Sequence, residues 1–190
     1  MSIRLARPED SSALLSIYSQ YIRTPITFEY DLPTQEEFAQ RISSTLEHYP
    51  YLVWQEQGAL LGYAYAHPER EREAYQFNSE LSIYLDRSAA GKGIGRRLYS
   101  ALMDLLVLQG IKTAYGVVTD PNPASEGLHQ SLGFRRVGLH RNTGFKDGKW
   151  YDVIWFEKDL APYIPDPTPV IPFPQLSDQA VADVLSRYSL

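Results

Sequence analysis

The chain has 190 residues, 44% of them hydrophobic and 22% charged, with no cysteine and a net charge of −5. That balance excludes a wholly disordered chain, and the length is enough to bury a core without disulfide or metal staples. The missing cysteines exclude a disulfide framework, a thiolate zinc site and an acyl-cysteine route, and the excess of acid argues against generic nucleic-acid binding.

The first ten residues lack the apolar core of a signal peptide, and no apolar run approaches the ~20 residues of a membrane span. No membrane contact and a cytoplasmic location are therefore expected. Residues 3–5 read as a short strand. Asp10 or Ser11 is placed to cap a helix whose apolar positions are Ala13, Leu14, Ile17, Tyr18, Tyr21 and Ile22. A polar loop follows through Thr24, Pro25 and Phe28. Thr34-Gln35-Glu36-Glu37 is a capping box that opens a second helix, with Phe38, Ile42 and Leu46 on one side.

Residues 51–55 and 59–66 read as a hairpin around Glu56-Gln57-Gly58. Residues 80–85 form another strand, with Leu81, Ile83 and Leu85 on one face and Glu80, Ser82 and Tyr84 on the other. After a glycine loop comes a helix carrying Leu98, Ala101, Leu102, Leu105 and Leu106, stopped by Gly110. Residues 111–118 are an apolar strand, Asp120-Pro121-Asn122-Pro123 a turn, and a short helix runs from there to about Leu132. Residues 134–141 and 150–157 read as two strands, with a hairpin turn at Lys146-Asp147-Gly148-Lys149. Six of the 13 prolines fall between Pro162 and Pro174. That stretch is expected to lie extended over the surface, followed by a short helix over 177–188 carrying Val181, Val184 and Leu185.

The loop Gly91-Lys92-Gly93-Ile94-Gly95-Arg96 joins a strand to a helix, inside a basic stretch of Arg87, Lys92, Arg96 and Arg97 with no acid. Glycines let successive N–H groups converge, and a helix start adds partial positive charge, which together suit a pyrophosphate. A tight turn with no ligand is the alternative. The P-loop pattern fails because Gly93 follows Lys92, and the dinucleotide fingerprint fails at Arg96 or Leu98.

With its glycines at Gly93 and Gly95, this strand–loop–helix resembles the GNAT superfamily of acyl-CoA-dependent N-acetyltransferases, although the first signature position is Ala90 instead of Gln or Arg. Over roughly residues 3–160 the chain is similar to the phosphinothricin N-acetyltransferases. The matching words are Tyr49-Pro50-Tyr51-Leu52-Val53, Gly62-Tyr63-Ala64-Tyr65-Ala66, Glu80 before Tyr84-Leu85, His129 before Leu132-Gly133-Phe134, Gly144-Phe145-Lys146, and Trp150-Tyr151-Asp152-Val153.

The resemblance implies an α/β (α+β in stricter usage) fold, a mixed and mostly antiparallel sheet with helices on both faces. It implies a domain over 1–160 with a proline-rich extension over 161–190. Acetyl-CoA is the implied cosubstrate, without a metal, and the implied acceptor is the primary amine of a small amino-acid-like molecule. A homodimer is expected, since dimers are common among the resembling enzymes.

Acetyl transfer needs a base to free the amine and a donor set for the developing oxyanion. By resemblance, Glu80 is the general base and His129 a second acid–base group, as base relay or as acid toward the thiolate. A solvated strand-end carboxylate and a helix-end histidine are the plain alternatives. The backbone of Ile83, Tyr84 and Leu85 is expected to hold the pantetheine and thioester, and Gly91, Lys92, Gly93, Ile94, Gly95 and Arg96 the pyrophosphate. Asn122 and Ser125 complete the expected cofactor contacts. Arg70, Arg72, Tyr75 and Phe28 are the acceptor-site candidates, with Trp150 and Tyr151 nearby; a solvated run with Glu69, Glu71 and Glu73 is the alternative for the arginines. His48, His67 and His140 have no metal-ligand spacing and receive no role. Other amine acceptors, and a non-catalytic acyl-CoA-binding module, remain open at this point.

Overall fold

The computed structural model describes all 190 residues. Seven strands form one sheet: β1 (Ser2–Leu5), β2 (Tyr51–Glu56), β3 (Ala59–Pro68), β4 (Asn78–Leu85), β5 (Thr113–Asp120), β6 (Arg135–Lys146) and β7 (Lys149–Asp159). Their order is β1-β2-β3-β4-β5-β7-β6. Every neighbouring pair is antiparallel except β4 with β5. Helices α1 (Ser11–Ser19) and α2 (Gln35–Leu46) cover one face; α3 (Ile94–Gln109), α4 (Pro123–Ser131) and α5 (Asp178–Tyr188) lie on the other.

The sheet therefore closes two cores. One joins Leu98, Leu102 and Leu106 of α3 to Leu52, Ala64 and Phe156. The other joins Leu14 and Ile17 of α1 and Ile42 of α2 to Tyr51, Val53 and Tyr63. The alternation of strand side chains feeds both cores from the same strands.

The capping box forms as expected: Thr34 Oγ1 accepts from Glu37 N at 3.2 Å and Glu37 Oε2 from Thr34 N at 2.7 Å. Asp10, in contrast, does not cap α1. Its carboxylate is held by Arg4 at 2.7 and 2.8 Å and by the Arg7 N–H at 2.8 Å. Ala13 is exposed and Ser11 takes a buried place instead. Strand β6 continues to Lys146, five residues past its expected end at 141, because the Asp147-Gly148 turn has both residues at positive φ (50° and 75°) and the hairpin zips up to it.

The C-terminal stretch packs on the body. Phe173, Val181 and Val184 enter the α3-side core. Arg187 reaches Asp104 of α3 at 2.8 Å, and the Leu190 N–H bonds the Met1 carbonyl at 3.0 Å. No helix is long and apolar enough to cross a membrane.

Candidate active site

The parallel ladder between β4 and β5 is short. It pairs Asn78 with Thr113, Ser79 with Ala114 and Glu80 with Tyr115, and then stops. Beyond that point the strands part. A cavity of about 210 Å³ opens there, lined by Leu81 to Leu85, by Val117 to Thr119 and by Asn122, Ser125 and His129.

Strand alternation decides which β4 groups face this gap. The Asp86 N–H donates to Leu61 O on the β3 side at 2.9 Å. Residues 81, 83 and 85 therefore turn their N–H and C=O groups toward the gap. Tyr99 OH donates to Leu81 O at 3.2 Å, and Tyr21 OH to Leu85 O at 2.6 Å. Neither hydroxyl reaches Ile83. The Ile83 amide is thus a free edge pair between two occupied ones. The Tyr84 backbone turns to β3, and its ring lies among Tyr18, Tyr21 and Tyr63 on the opposite face.

The glycine loop closes the outer end of the gap. Gly91 and Gly93 sit at φ +75° and +79° with open space where a side chain would begin. Their glycines serve the left-handed backbone. Gly93 is the N-cap of α3 and supplies no side-chain cap, so the first N–H groups of a 16-residue helix stay available. Gly95 is different: a Cβ there would meet Leu128 at 3.4 Å and Ile83 at 3.5 Å, ordinary contact distances that an alanine would fill. Lys92 and Arg96 are exposed beside the loop; Arg96 also bonds Ser131 O at 3.0 Å. Asn122 caps α4, its Oδ1 accepting from Ser125 N at 3.2 Å, and still lines the cavity.

His129 is 2% exposed. Its ring stacks on Phe156 at 5.2 Å and meets Phe134 and Tyr99 edgewise at 5.0 and 5.5 Å. A Cβ at Gly116 would lie 2.2 Å from Nε2, so the ring occupies the space that glycine leaves. Nδ1 lies 2.8 Å from Ser125 O. A carbonyl only accepts, so Nδ1 carries the hydrogen. Burial lowers the pKa of the imidazole. In the neutral ring Nε2 is then a bare lone pair, and it has no hydrogen-bond partner.

Glu80 occupies the last rung of the β4–β5 ladder, with its side chain on the face opposite α3. Its neighbour across β3 is His67, whose Nε2 stands 3.8 Å from Glu80 Oε1. Burial raises the pKa of the carboxyl; a charged His67 opposes this and Glu69 adds to it.

On this face Tyr51, Tyr63 and Tyr65 stack at 4.8 to 6.3 Å, and a cavity of about 320 Å³ lies between them, Glu29, Arg41 and His67. A second cavity of about 560 Å³ is lined by His67, Arg70, Arg72 and the tail residues Val170 and Pro172. His67 borders both. Arg70 and Arg72 thus come to the Glu80 side through His67. Tyr75 packs under Arg70 at 5.7 Å. Phe28 stands apart, against Tyr151 and against Gly144, where a Cβ would lie 2.1 Å from its ring. Trp150 is 61% exposed on the β6–β7 hairpin.

Lys146 received no site role from the sequence, where it stands in a hairpin turn and at the end of a matching word. It is buried, and its ammonium donates to four carbonyls: Ile22 at 2.8, Thr24 at 2.9, Thr27 at 2.6 and Glu29 at 2.9 Å. It fixes the 22–29 loop that supplies Thr27 and Glu29 to the 320 Å³ cavity. The word Gly144-Phe145-Lys146 was its one signal in the sequence.

A family model described as an acetyltransferase (GNAT) domain matches residues 3–155. A phosphinothricin N-acetyltransferase of Streptomyces coelicolor is 38% identical over 165 residues, covering 84% of this chain and 96% of that protein. An L-methionine sulfoximine/L-methionine sulfone acetyltransferase of Salmonella typhimurium is 31% identical, covering 84% and 95%. The crystal structure of a phosphinothricin acetyltransferase from Sinorhizobium meliloti in complex with acetyl-CoA superposes with a TM-score of 0.82 at 35% identity, covering 90% of this chain and 97% of that one. The parted β4–β5 pair, the uncapped glycine-loop helix and these matches agree: the chain belongs to the GNAT family and is an acyl-CoA-dependent N-acetyltransferase.

Proposed function

We propose that the chain moves an acetyl group from acetyl-CoA to the primary amine of a small amino-acid-like acceptor, of the phosphinothricin, methionine sulfoximine or methionine sulfone type. The observation that carries this is the parting of β4 from β5 directly after Glu80, which leaves the Ile83 amide free beside the cavity. The Ile83 edge suits the amides of a pantetheine arm, as an added strand would. The amides after Gly93, with Lys92 and Arg96, suit the pyrophosphate. Asn122 and Ser125 line the cavity that the arm would enter.

The acceptor approaches from the tyrosine-lined face. Arg72 and Arg70 suit its anionic group, since a guanidinium grips a carboxylate or phosphinate in a bidentate pair. Glu80 takes the proton from the ammonium, and its raised pKa makes the carboxylate a better base than a solvated one. The freed amine attacks the acetyl carbonyl directly. His129 serves on the base side, as an acceptor through Nε2; with Nδ1–H fixed on Ser125 O, a neutral ring has no Nε2 proton to give.

The same reading carries a cytoplasmic enzyme with a domain over 1–160, an extension over 161–190, and a homodimer. The exposed Phe145–Trp150 pair, 5.1 Å apart on the outer hairpin, offers a second copy an apolar edge.

The test is thiol release from acetyl-CoA followed with a thiol-reactive dye, to which a cysteine-free chain adds no background. Release is expected with phosphinothricin, methionine sulfoximine and methionine sulfone. Release only with polyamines or peptides would overturn the acceptor class. Tight CoA binding with no release would favour a binding module.

A further inference from the structure

We infer that His67 and Glu80 work as one proton-holding pair, with His67 as the outlet that carries the acceptor's proton from the Glu80 carboxylate to solvent. The inference rests on the assignment of Glu80 as base and extends it to a second residue.

The geometry is specific. His67 and Glu80 face each other across the β3–β4 register, Nε2 to Oε1, at 3.8 Å. The other ring nitrogen, Nδ1, lies 3.2 Å from Pro68 O. That carbonyl only accepts, so Nδ1 keeps its hydrogen whenever the bond is made. Any proton that the pair gains or loses is therefore on Nε2 or on the carboxylate. The gap is about 1 Å longer than a charge-assisted hydrogen bond and too short for a bridging water, so a small turn of the Glu80 side chain closes it.

The position also fits a relay. The Glu80 side chain is 23% exposed and that of His67 37%, so the pair runs from the sheet toward solvent. His67 borders both cavities on this face. The other charged or titratable groups around the pair are Tyr65 on β3, Tyr99 on α3, Glu69 on the β3–β4 connection, with Arg70 held by Glu69 at 3.0 Å, and the Glu29–Arg41 ion pair of the smaller cavity. His48, Glu71, Arg72 and Glu73 line the larger cavity on the outer side of His67. The two tyrosines have pKa values raised by burial, so neither takes or gives a proton near neutrality. His129 faces Gly116 on the other side of the sheet.

The protons balance. The acceptor arrives as an ammonium and gives one proton to the Glu80 carboxylate, which passes it to His67 Nε2 and on to water. The N–C bond forms and the C–S bond breaks. The second amine proton leaves with the sulfur as the CoA thiol. One proton is released to solvent per turnover.

The experiment compares the pH profile of kcat/KM for the wild type, His67→Ala, His67→Gln and Glu80→Gln, with and without added imidazole. Removing His67 is expected to lower kcat about tenfold in weak buffer. The acid limb should move, because a lone carboxylate and a carboxylate coupled to an imidazole bind their proton differently. Imidazole should restore His67→Ala and leave Glu80→Gln inactive. A purely structural histidine gives neither the moved limb nor the rescue. An unmoved limb without rescue, beside an inactive Glu80→Gln, would overturn the relay and keep Glu80 as base. A fully active Glu80→Gln would overturn both. Should His67→Ala fail to melt cooperatively, the acid limb of the isosteric His67→Gln decides alone.

Discussion

The two sides of strand β4 are built by different means. The side proposed for the cofactor is made of backbone: the free Ile83 amide, two left-handed glycines and an uncapped helix start. The side proposed for the acceptor is made of side chains from distant segments: tyrosines of β2, β3 and β4, His67 facing Glu80, and Lys146 reaching across to the 22–29 loop. A backbone-built site depends on where the chain turns. A side-chain-built site depends on register and on long-range contact.

That contrast sets different failures on the two sides. Glu80→Gln should lower kcat by roughly 10²- to 10⁴-fold while acetyl-CoA affinity, measured by calorimetry, stays within about twofold. A parallel loss of acetyl-CoA binding would merge the two sides and break the comparison.

Lys146→Met should cost about 3 kcal/mol of stability in urea unfolding, since four carbonyls, one buried and three part-buried, lose a charged donor. In the folded fraction the acceptor KM should rise with the acetyl-CoA KM nearly unchanged, because the freed 22–29 loop belongs to the acceptor side. Equal changes in both constants would show that the loop serves both sides.

The smallest expected effect concerns the cofactor side. The His129 pKa is lowered by burial from 6.5. Below that value the unfolded chain binds a proton at this position and the folded chain does not, so stability falls as pH drops through 6.5 toward the folded pKa. Thermal melts of wild type and His129→Gln should diverge below about pH 6.5, the wild type losing more. Parallel curves would mean that the ring accepts its proton without cost.

The sequence makes one side of this enzyme far more legible than the other. The glycine loop, the Thr34 capping box, the Gly110 stop and the Asp147-Gly148 turn are local signals, and each forms where the residues place it. Glu80 and His129 stand out through their neighbours in matching words. His67 lies in no such word, and Lys146 only ends the word Gly144-Phe145-Lys146; nothing near them in the chain tells that β3 pairs His67 with Glu80 or that Lys146 lies against carbonyls more than a hundred residues away. No local pattern marks the splay either: residues 81–85 and 116–118 read as ordinary strands, and the ladder's end at Glu80–Tyr115 opens the gap. Asp10 fails as a cap for a related reason. A carboxylate has several donors within reach, and Arg4 supplies two of them.

The central claim is that acetyl-CoA binds along the free edge of β4. Amide hydrogen exchange resolved at single residues tests it most directly, with and without acetyl-CoA. The account predicts new protection at the Ile83 amide and at the first amides of α3, with little change along the His67–Arg72 segment. Protection confined to the Arg70–Arg72 cavity, or an Ile83 amide that exchanges equally fast in both states, would contradict it.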